Sequence, residues 1–257
     1  MIPVIPWYIT LVALATNLVI AVAVWRIFSS ATERSGLPPA TQRRIRLATA
    51  LFFGTWLGAA LVLAPAPASL LGEDPFYLTP LIPLFPLAAL TIVFLALRLS
   101  PSLRRVLAAA SLPAMHGVQL YRTIGVVFLI LLAQGQLPAH FALPAGWGDF
   151  AVGITAPLLA LALVRRVSGA VPLAFSWNVL GLLDLVVAVG MGTGFLAPFL
   201  VPELGPRVAP AAGMGVFPLI LVPTFAVPVS VLLHLLALGR LRRQVRLGPG
   251  LVPKPAN

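Results

Sequence analysis

The chain contains no cysteine. That absence removes disulfides, thiolate metal sites and cysteine nucleophiles together. Lysine is reduced to Lys254 near the C-terminus. No lysine therefore lies inside an apolar stretch, and a retinal Schiff base is excluded. Charge is scarce as well: 9% of residues are charged and only 6 are acidic, against about 25% charged residues in soluble domains. No GxSxG elbow and no HExxH pair occurs, so the common serine-hydrolase and zinc-protease signatures are missing. Nor does a basic n-region precede the first apolar stretch, since Met1 to Pro6 carries no charged side chain. The expectation is that this stretch stays as a helix and is not cleaved as a signal peptide.

What fills the chain is apolar. Hydrophobic residues make up 60% of it, more than a soluble fold of this length can hide, so lipid has to be the solvent for most of the surface. Seven apolar segments are each about long enough for a helix to cross a bilayer, which takes about 20 residues. They lie near Pro6–Phe28, Arg46–Leu63, Pro80–Leu97, Gly117–Ala133, Trp147–Val164, Pro172–Gly190 and Val216–Leu238. The expected fold is all-α, one seven-helix transmembrane domain over residues 1–240 followed by a short basic tail, 241–257.

The connections alternate in charge. The first holds Arg26, Arg34, Arg43, Arg44 and Arg46 against Glu33, and the second holds Glu73 and Asp74 with no base. Arg98, Arg104 and Arg105 follow the third segment, His140 without arginine the fourth, and Arg165 and Arg166 the fifth. Glu203 faces Arg207 in the sixth, and Arg240, Arg242, Arg243, Arg246 and Lys254 close the series. By the positive-inside rule the odd connections and the C-terminus are cytoplasmic and the N-terminus is external. The net charge of +11 thus belongs to membrane topology, and nucleic acid is not an expected partner. The layout predicts a multi-pass protein of a bacterial inner (cytoplasmic) membrane, with the lipid bilayer as its first partner.

Prolines punctuate the external ends and the last segment. Pro80, Pro83 and Pro86 start the third span, Pro198, Pro202, Pro206 and Pro210 fill the loop from Met191 to Gly215, and Pro218, Pro223 and Pro228 interrupt the seventh. Interior prolines break helical hydrogen bonds, and in membranes they recur where helices bend. Thr155 and Pro157 bracket an expected distortion in the fifth span. Gly54 and Gly58 form a GxxxG pattern in the second, expected to mark close packing within the fold, or else a homodimer or partner face. Spans one to three and five to seven share a tryptophan-led start, an arginine-closed end and Leu-Ala-Leu strings, consistent with a parallel 3+1+3 repeat.

The topology is similar to that of SWEET-type sugar transporters and of microbial rhodopsins, a likeness of layout that covers no motif; a proline-glutamine pair of the SWEET kind is lacking. Three strings, His116-Gly117-Val118-Gln119-Leu120-Tyr121-Arg122, Gly146-Trp147-Gly148-Asp149 and Trp177 through Leu185, resemble a group of uncharacterised small bacterial integral membrane proteins with seven spans. That resemblance implies no activity.

The polar residues within the spans require individual accounts, because a charge at the bilayer centre costs about 2.5–3.5 kcal/mol even on the mildest scales. Asp184 lies about twelve residues, roughly 18 Å, into the sixth span. A short carboxylate cannot reach the surface from there, so it must be neutral, paired or in contact with water. Trp177, Gly181, Asp184 and Ala188 share its helix face, with a small residue beside the acid. Arg122 is its natural partner, in a polar stripe with His116 and Gln119. Placed about five residues into the fourth span, it is expected to sit about 9 Å from the height of Asp184 or to snorkel to the surface. Asp149, read as the start of the fifth span, is expected to cap free N–H groups, with a place on an ion path as the alternative. Asn17 and Asn178 are expected to hydrogen-bond between helices. Ser230, His234 and Asp184 imitate a Ser–His–Asp arrangement, though a serine in an apolar helix ordinarily bonds to its own carbonyls. His116 and His234 could jointly hold a haem only at matching depth across a planar cofactor.

The function expected from these residues is translocation of a small solute or ion, proton-coupled through Asp184. Arg122 would set the charge of that acid, and Gln119, Asn178 and His234 would supply hydrogen bonds. The alternative is a non-catalytic membrane subunit, assembly factor or sensor, in which the same residues specify packing against a partner.

Overall fold

The computed structural model describes residues 5–63, 81–208 and 211–247, and among these it is helical throughout, with no strand. Glu73, Asp74, Pro80, Pro210 and Lys254, used above to read the topology, lie outside the described residues. Six helices among the described residues are long and apolar enough to cross a membrane, or seven if a pair bent by 102° is one span. In order these are α1 (Trp7–Glu33), α2 (Pro39–Leu63), α3 (Leu81–Leu99) with α4 (Pro101–Ala109), α5 (Leu112–Gly117) continuing through a 3-10 stretch into α6 (Val126–Ala133), α7 (Ala139–Val164), α8 (Ala170–Gly192) and α10 (Val227–Leu247). The chain is a multi-pass membrane protein.

Each unexpected boundary has a local cause. Ser100 accepts a hydrogen bond from Leu103 N and Pro101 opens the next helix, which stops α3 and turns the chain by 102° into α4. Ser111 accepts from Ala114 N in the same way, again with proline in the first turn, so the fourth span starts at Leu112 and not at Gly117. The fifth starts at Ala139, directly after Pro138. This moves the expected start at Trp147 outward by two turns. The last helix runs through Leu247, so the first tail residues continue it.

Two spans depart from α geometry over part of their length. Residues Val118–Gly125 of the fourth are wound as a 3-10 helix, and Val222–Ala226 at the head of the seventh as a π-helix. The π-helix is explained by its prolines. Pro228 has no N–H to offer the carbonyl of Thr224, four residues earlier, and Trp56 Nε1 on α2 donates to that oxygen instead, at 3.0 Å. Leu219 O, which Pro223 would leave unpaired, accepts from Val222 N at 2.9 Å.

Two apolar clusters form the core. One gathers Ile20, Val24, Met115, Leu159, Ala174, Phe225 and Leu233; the other gathers Ile9, Phe128, Phe141, Ala145, Ala188 and Leu219. Each of four spans crosses from one cluster to the other, and its polar site residues lie between the crossings: Asn17 in α1, Gln119 and Arg122 in the fourth span, Asp149 in α7, Asn178 and Asp184 in α8. The polar residues therefore form a layer at mid-height. The loop after α8 packs back over the second cluster through α9 (Ala197–Leu200) and the buried Val208 and Ala211, with Ala211 N donating to Gly192 O at 2.8 Å. It is a packed cap and not a bare surface loop.

Among the described residues, Gly54 and Gly58 have no atom from another part of the chain within 4 Å of where a Cβ would stand. The expected close packing within the fold is not made at this GxxxG by any of the described residues.

Candidate functional site

The 3-10 winding decides the site. With 3.0 residues per turn, side chains three apart fall in one row, and Gln119, Arg122 and Gly125 are the buried residues of the segment. A polar stripe that would wind around an α-helix is straightened here into a file facing α7, α8 and α10. Because the span begins at Leu112, five residues before the expected start, Arg122 stands deeper in it than the sequence reading placed it, and it meets both aspartates directly.

Arg122 is 2% exposed and its three nitrogens go to three different helices. Nε donates to Asp149 Oδ1 at 2.6 Å, Nη2 donates to Asp184 Oδ2, and Nη1 faces His234 Nε2 at 3.2 Å. The expected link between Arg122 and Asp184 is thus a direct ion pair. Asp149 is not a helix cap: the start of α7 lies ten residues before it, so it faces the guanidinium from mid-helix. Two glycines permit the approach. A Cβ on Gly148 would collide with Asp184 Oδ1, and a Cβ on Gly181 would collide with the His234 ring.

A chain of neutral groups continues from His234. Its Nδ1 meets Asn178 Oδ1 at 2.9 Å; Asn178 Nδ2 donates to Ala174 O at 2.6 Å and meets His116 Nε2 at 2.7 Å; His116 Nδ1 meets Leu112 O at 2.7 Å. The tautomers follow from these partners. Leu112 O only accepts, so His116 carries its proton on Nδ1 and accepts at Nε2. Asn178 Oδ1 only accepts, so His234 is protonated on Nδ1 and offers Nε2 to Arg122. Trp177 sits against both imidazoles, with ring centroids 5.4 and 5.2 Å away, and its Nε1 donates to Thr155 Oγ1 at 2.9 Å. All four imidazole nitrogens are engaged by protein, so this pair leaves none to ligate a haem iron.

Ser230 does not meet His234. Its hydroxyl donates to Ala226 O at 3.0 Å and accepts from Tyr121 OH at 2.5 Å, which dissolves the Ser–His–Asp likeness. Among the described residues Gln119 reaches Ser230 O alone, at 3.5 Å. Tyr121 was not among the residues singled out by sequence. Its signal was its place beside Arg122 at the start of the 3-10 file, and the serine it meets is a partner that sequence distance conceals.

A cavity of about 50 Å³ opens beside Arg122 and Asp149 between α1, the 3-10 stretch and the π-helix. Its polar lining is Thr16, Asn17, Tyr121, Arg122, Asp149 and Ser230. Asn17 Nδ2 donates to Ala13 O at 2.8 Å, and its buried Oδ1 meets no partner among the described residues.

Residues 79–242 match the family described as a domain of unknown function, DUF8737. The chain belongs to that family. The matched stretch holds Arg122, Asp149, Asn178, Asp184 and His234, whereas Asn17 precedes it. No curated protein and no solved structure shows detectable similarity to the chain.

Proposed function

We propose that this protein translocates a small solute or ion across the bacterial inner membrane, with a proton carried at Asp184 and the N-terminus external. The observation that carries the reading is one buried guanidinium between two carboxylates at mid-height. With all three groups charged the cluster keeps one negative charge. In a medium of low dielectric such a charge is costly, and a proton on a carboxyl or a second cation removes the cost. Binding and loss of that ion would change the pull of Asp184 on Arg122 and so on α8, the 3-10 stretch and α10. The 3-10 and π windings lie beside the cavity, and such windings in mid-helix are recurrent sites of movement and function. The arginine-bearing connections support the orientation.

Reconstituted proteoliposomes under imposed pH and voltage gradients test the reading. Wild type should carry flux and Asp184→Asn should abolish it while eluting as a folded protein; equal flux in the two would exclude Asp184 as the coupling group. The second reading, a non-catalytic subunit, assembly factor or sensor, draws on Gly54 and Gly58, against which none of the described residues packs closely. Small residues spaced in this way let another helix approach closely. A stoichiometric membrane partner, or a homodimer disrupted by Gly58→Leu, would favour it.

A further inference from the structure

We propose that Arg34, Arg240 and Arg243 form a binding site for the phosphate headgroup of one anionic phospholipid, at the arginine-rich end of the bundle. Such a site stands whether or not the protein carries flux.

The chain has only 6 acidic residues, and those described are spent elsewhere. Glu33 is paired with Arg46 at 2.8 Å, and Asp149 and Asp184 with Arg122. Glu203 lies in the cap over the second cluster, the one that holds Ile9 from the start of α1. Glu73 and Asp74, in the second connection, lie outside the described residues. Among the described residues, therefore, no carboxylate is within ion-pair distance of Arg34, Arg240 or Arg243. Arg34 directly follows α1, and Arg240 and Arg243 stand a turn apart near the end of α10. The charges of Arg34 and Arg243 both bear on Arg240, and like charges gathered in this way repel. Arg240 is partly buried, which limits how far it can swing clear. Its Nη1 is closed to water and meets no partner among the described residues. Arg34 Nη2 has only the neutral Ser30 hydroxyl, at 3.3 Å. Two neighbouring arginines are better answered: Arg104 Nη1 donates to Leu97 O and Arg98 O at 3.1 and 2.6 Å, and Arg242 lies over the Phe175 ring at 5.9 Å. What the three guanidiniums lack is an anion.

Position and shape choose it. Along α10 the largely apolar run from Val227 to Leu238 gives way to arginine at Arg240, a change that marks the level of the lipid headgroups. Phosphate offers several oxygens to the forked guanidinium, and basic pockets between spans on the cytoplasmic side suit such headgroups. A lipid also needs room for its chain. Leu235, Gly239 and Arg243 follow one another at intervals of four along one side of α10, and all three are exposed. A Cβ on Gly239 would have no atom from another part of the chain within 4 Å, among the described residues. Gly239 is thus the floor of a notch one turn below Arg243, with Leu235 beneath it. Free phosphate makes no use of such a notch, whereas an acyl chain descending from a bound headgroup does.

Native mass spectrometry of the purified full-length protein, delipidated in detergent and titrated with phosphatidylglycerol or phosphatidylcholine, tests the site without any flux. Wild type should retain one phosphatidylglycerol with a preference of at least about tenfold over phosphatidylcholine, since each arginine beside an anionic headgroup contributes roughly fivefold. Arg34→Gln, Arg240→Gln and Arg243→Gln combined should abolish the preference. The lipid-free triple variant should melt no lower than wild type, because like charges have been removed. Arg243→Gln alone, at an exposed position, should already cost roughly fivefold. Arg105→Gln, Arg165→Gln and Arg166→Gln combined remove the same charge from other arginine-bearing connections and should leave the preference intact. Equal loss in the two triple variants, or no preference in wild type, would overturn the site and reduce it to a general attraction between basic loops and anionic lipid. Gly239→Leu, which fills the notch, should weaken the lipid but not its dependence on the arginines. Binding indifferent to Gly239→Leu, with the lipid displaced by inorganic phosphate, would overturn the lipid and assign a free-phosphate site.

Discussion

Arg122 carries more of this structure than any other single residue, and the reason is arithmetic. Removing it strands two carboxylates, whereas removing Asp184 leaves the guanidinium paired with Asp149. Breaking a buried pair by deleting one partner costs about 3–5 kcal/mol. Arg122→Leu should accordingly lower the thermal midpoint in detergent far more than Asp184→Asn, for which a loss of about 1–3 kcal/mol is expected from weakened hydrogen bonding. Equal melting of the two variants would show that the carboxylates do not depend on the arginine. Gly148 makes a second case. Its α carbon lies so close to Asp184 Oδ1 that a methyl group cannot be added, so Gly148→Ala should cost about 1–3 kcal/mol by overpacking. It should also reproduce the flux defect of Asp184→Asn, because the carboxylate must leave Arg122 to make room.

Among the elements, the π-helix depends on a side chain from another span. Thr224 O loses its helical donor to Pro228 and is served by Trp56 Nε1 from α2. Trp56→Phe keeps the aromatic packing against Phe225, whose ring centroid lies 5.4 Å away, and removes only the donor. A loss of about 1–3 kcal/mol is expected for the stranded carbonyl, read by thermal melting. The double change Trp56→Phe with Pro228→Ala should recover part of it, since alanine restores an N–H to the helix. No recovery would mean that Trp56 acts through packing alone. The 3-10 stretch in the fourth span was not legible from composition. A spacing of three between His116, Gln119 and Arg122 is compatible with an α-helix, and only the tight packing of this segment on α7 selects the narrower winding. By contrast the Ser-x-Pro signal at Ser111 and Pro113 was present in the sequence, and it would have placed Arg122 at the right depth.

At the scale of the whole molecule, a chain without cysteine makes topology directly measurable. A cysteine introduced at Ser35, between α1 and α2, should react with a membrane-impermeant maleimide only after the cytoplasmic side is opened. One at Gln136, between α6 and α7, should react in intact spheroplasts. The reverse pattern would invert the orientation derived from the arginines. The two apolar clusters and the polar layer between them also predict how the protein opens. Hydrogen exchange should be slowest in the buried faces of α10 and slower on either side of the layer than at the layer itself, where the 3-10 and π windings interrupt the α-helical ladder.

The amino-acid sequence by itself determined that lipid is the solvent, where the spans lie, and which polar residues needed an account, because hydropathy and proline and arginine placement are local properties that survive any packing. It also named Arg122 as the natural partner of Asp184, with snorkelling to the surface left open. What only the tertiary structure decided is the third member, Asp149, read from sequence as a cap and found opposite the guanidinium. The His116–Asn178–His234 chain was decided there too. Each of these depends on the relative height and rotation of helices distant in sequence. Those are set by where Ser111 and Pro138 start their helices and by the glycines that let α7, α8 and α10 approach, contacts that no single span encodes.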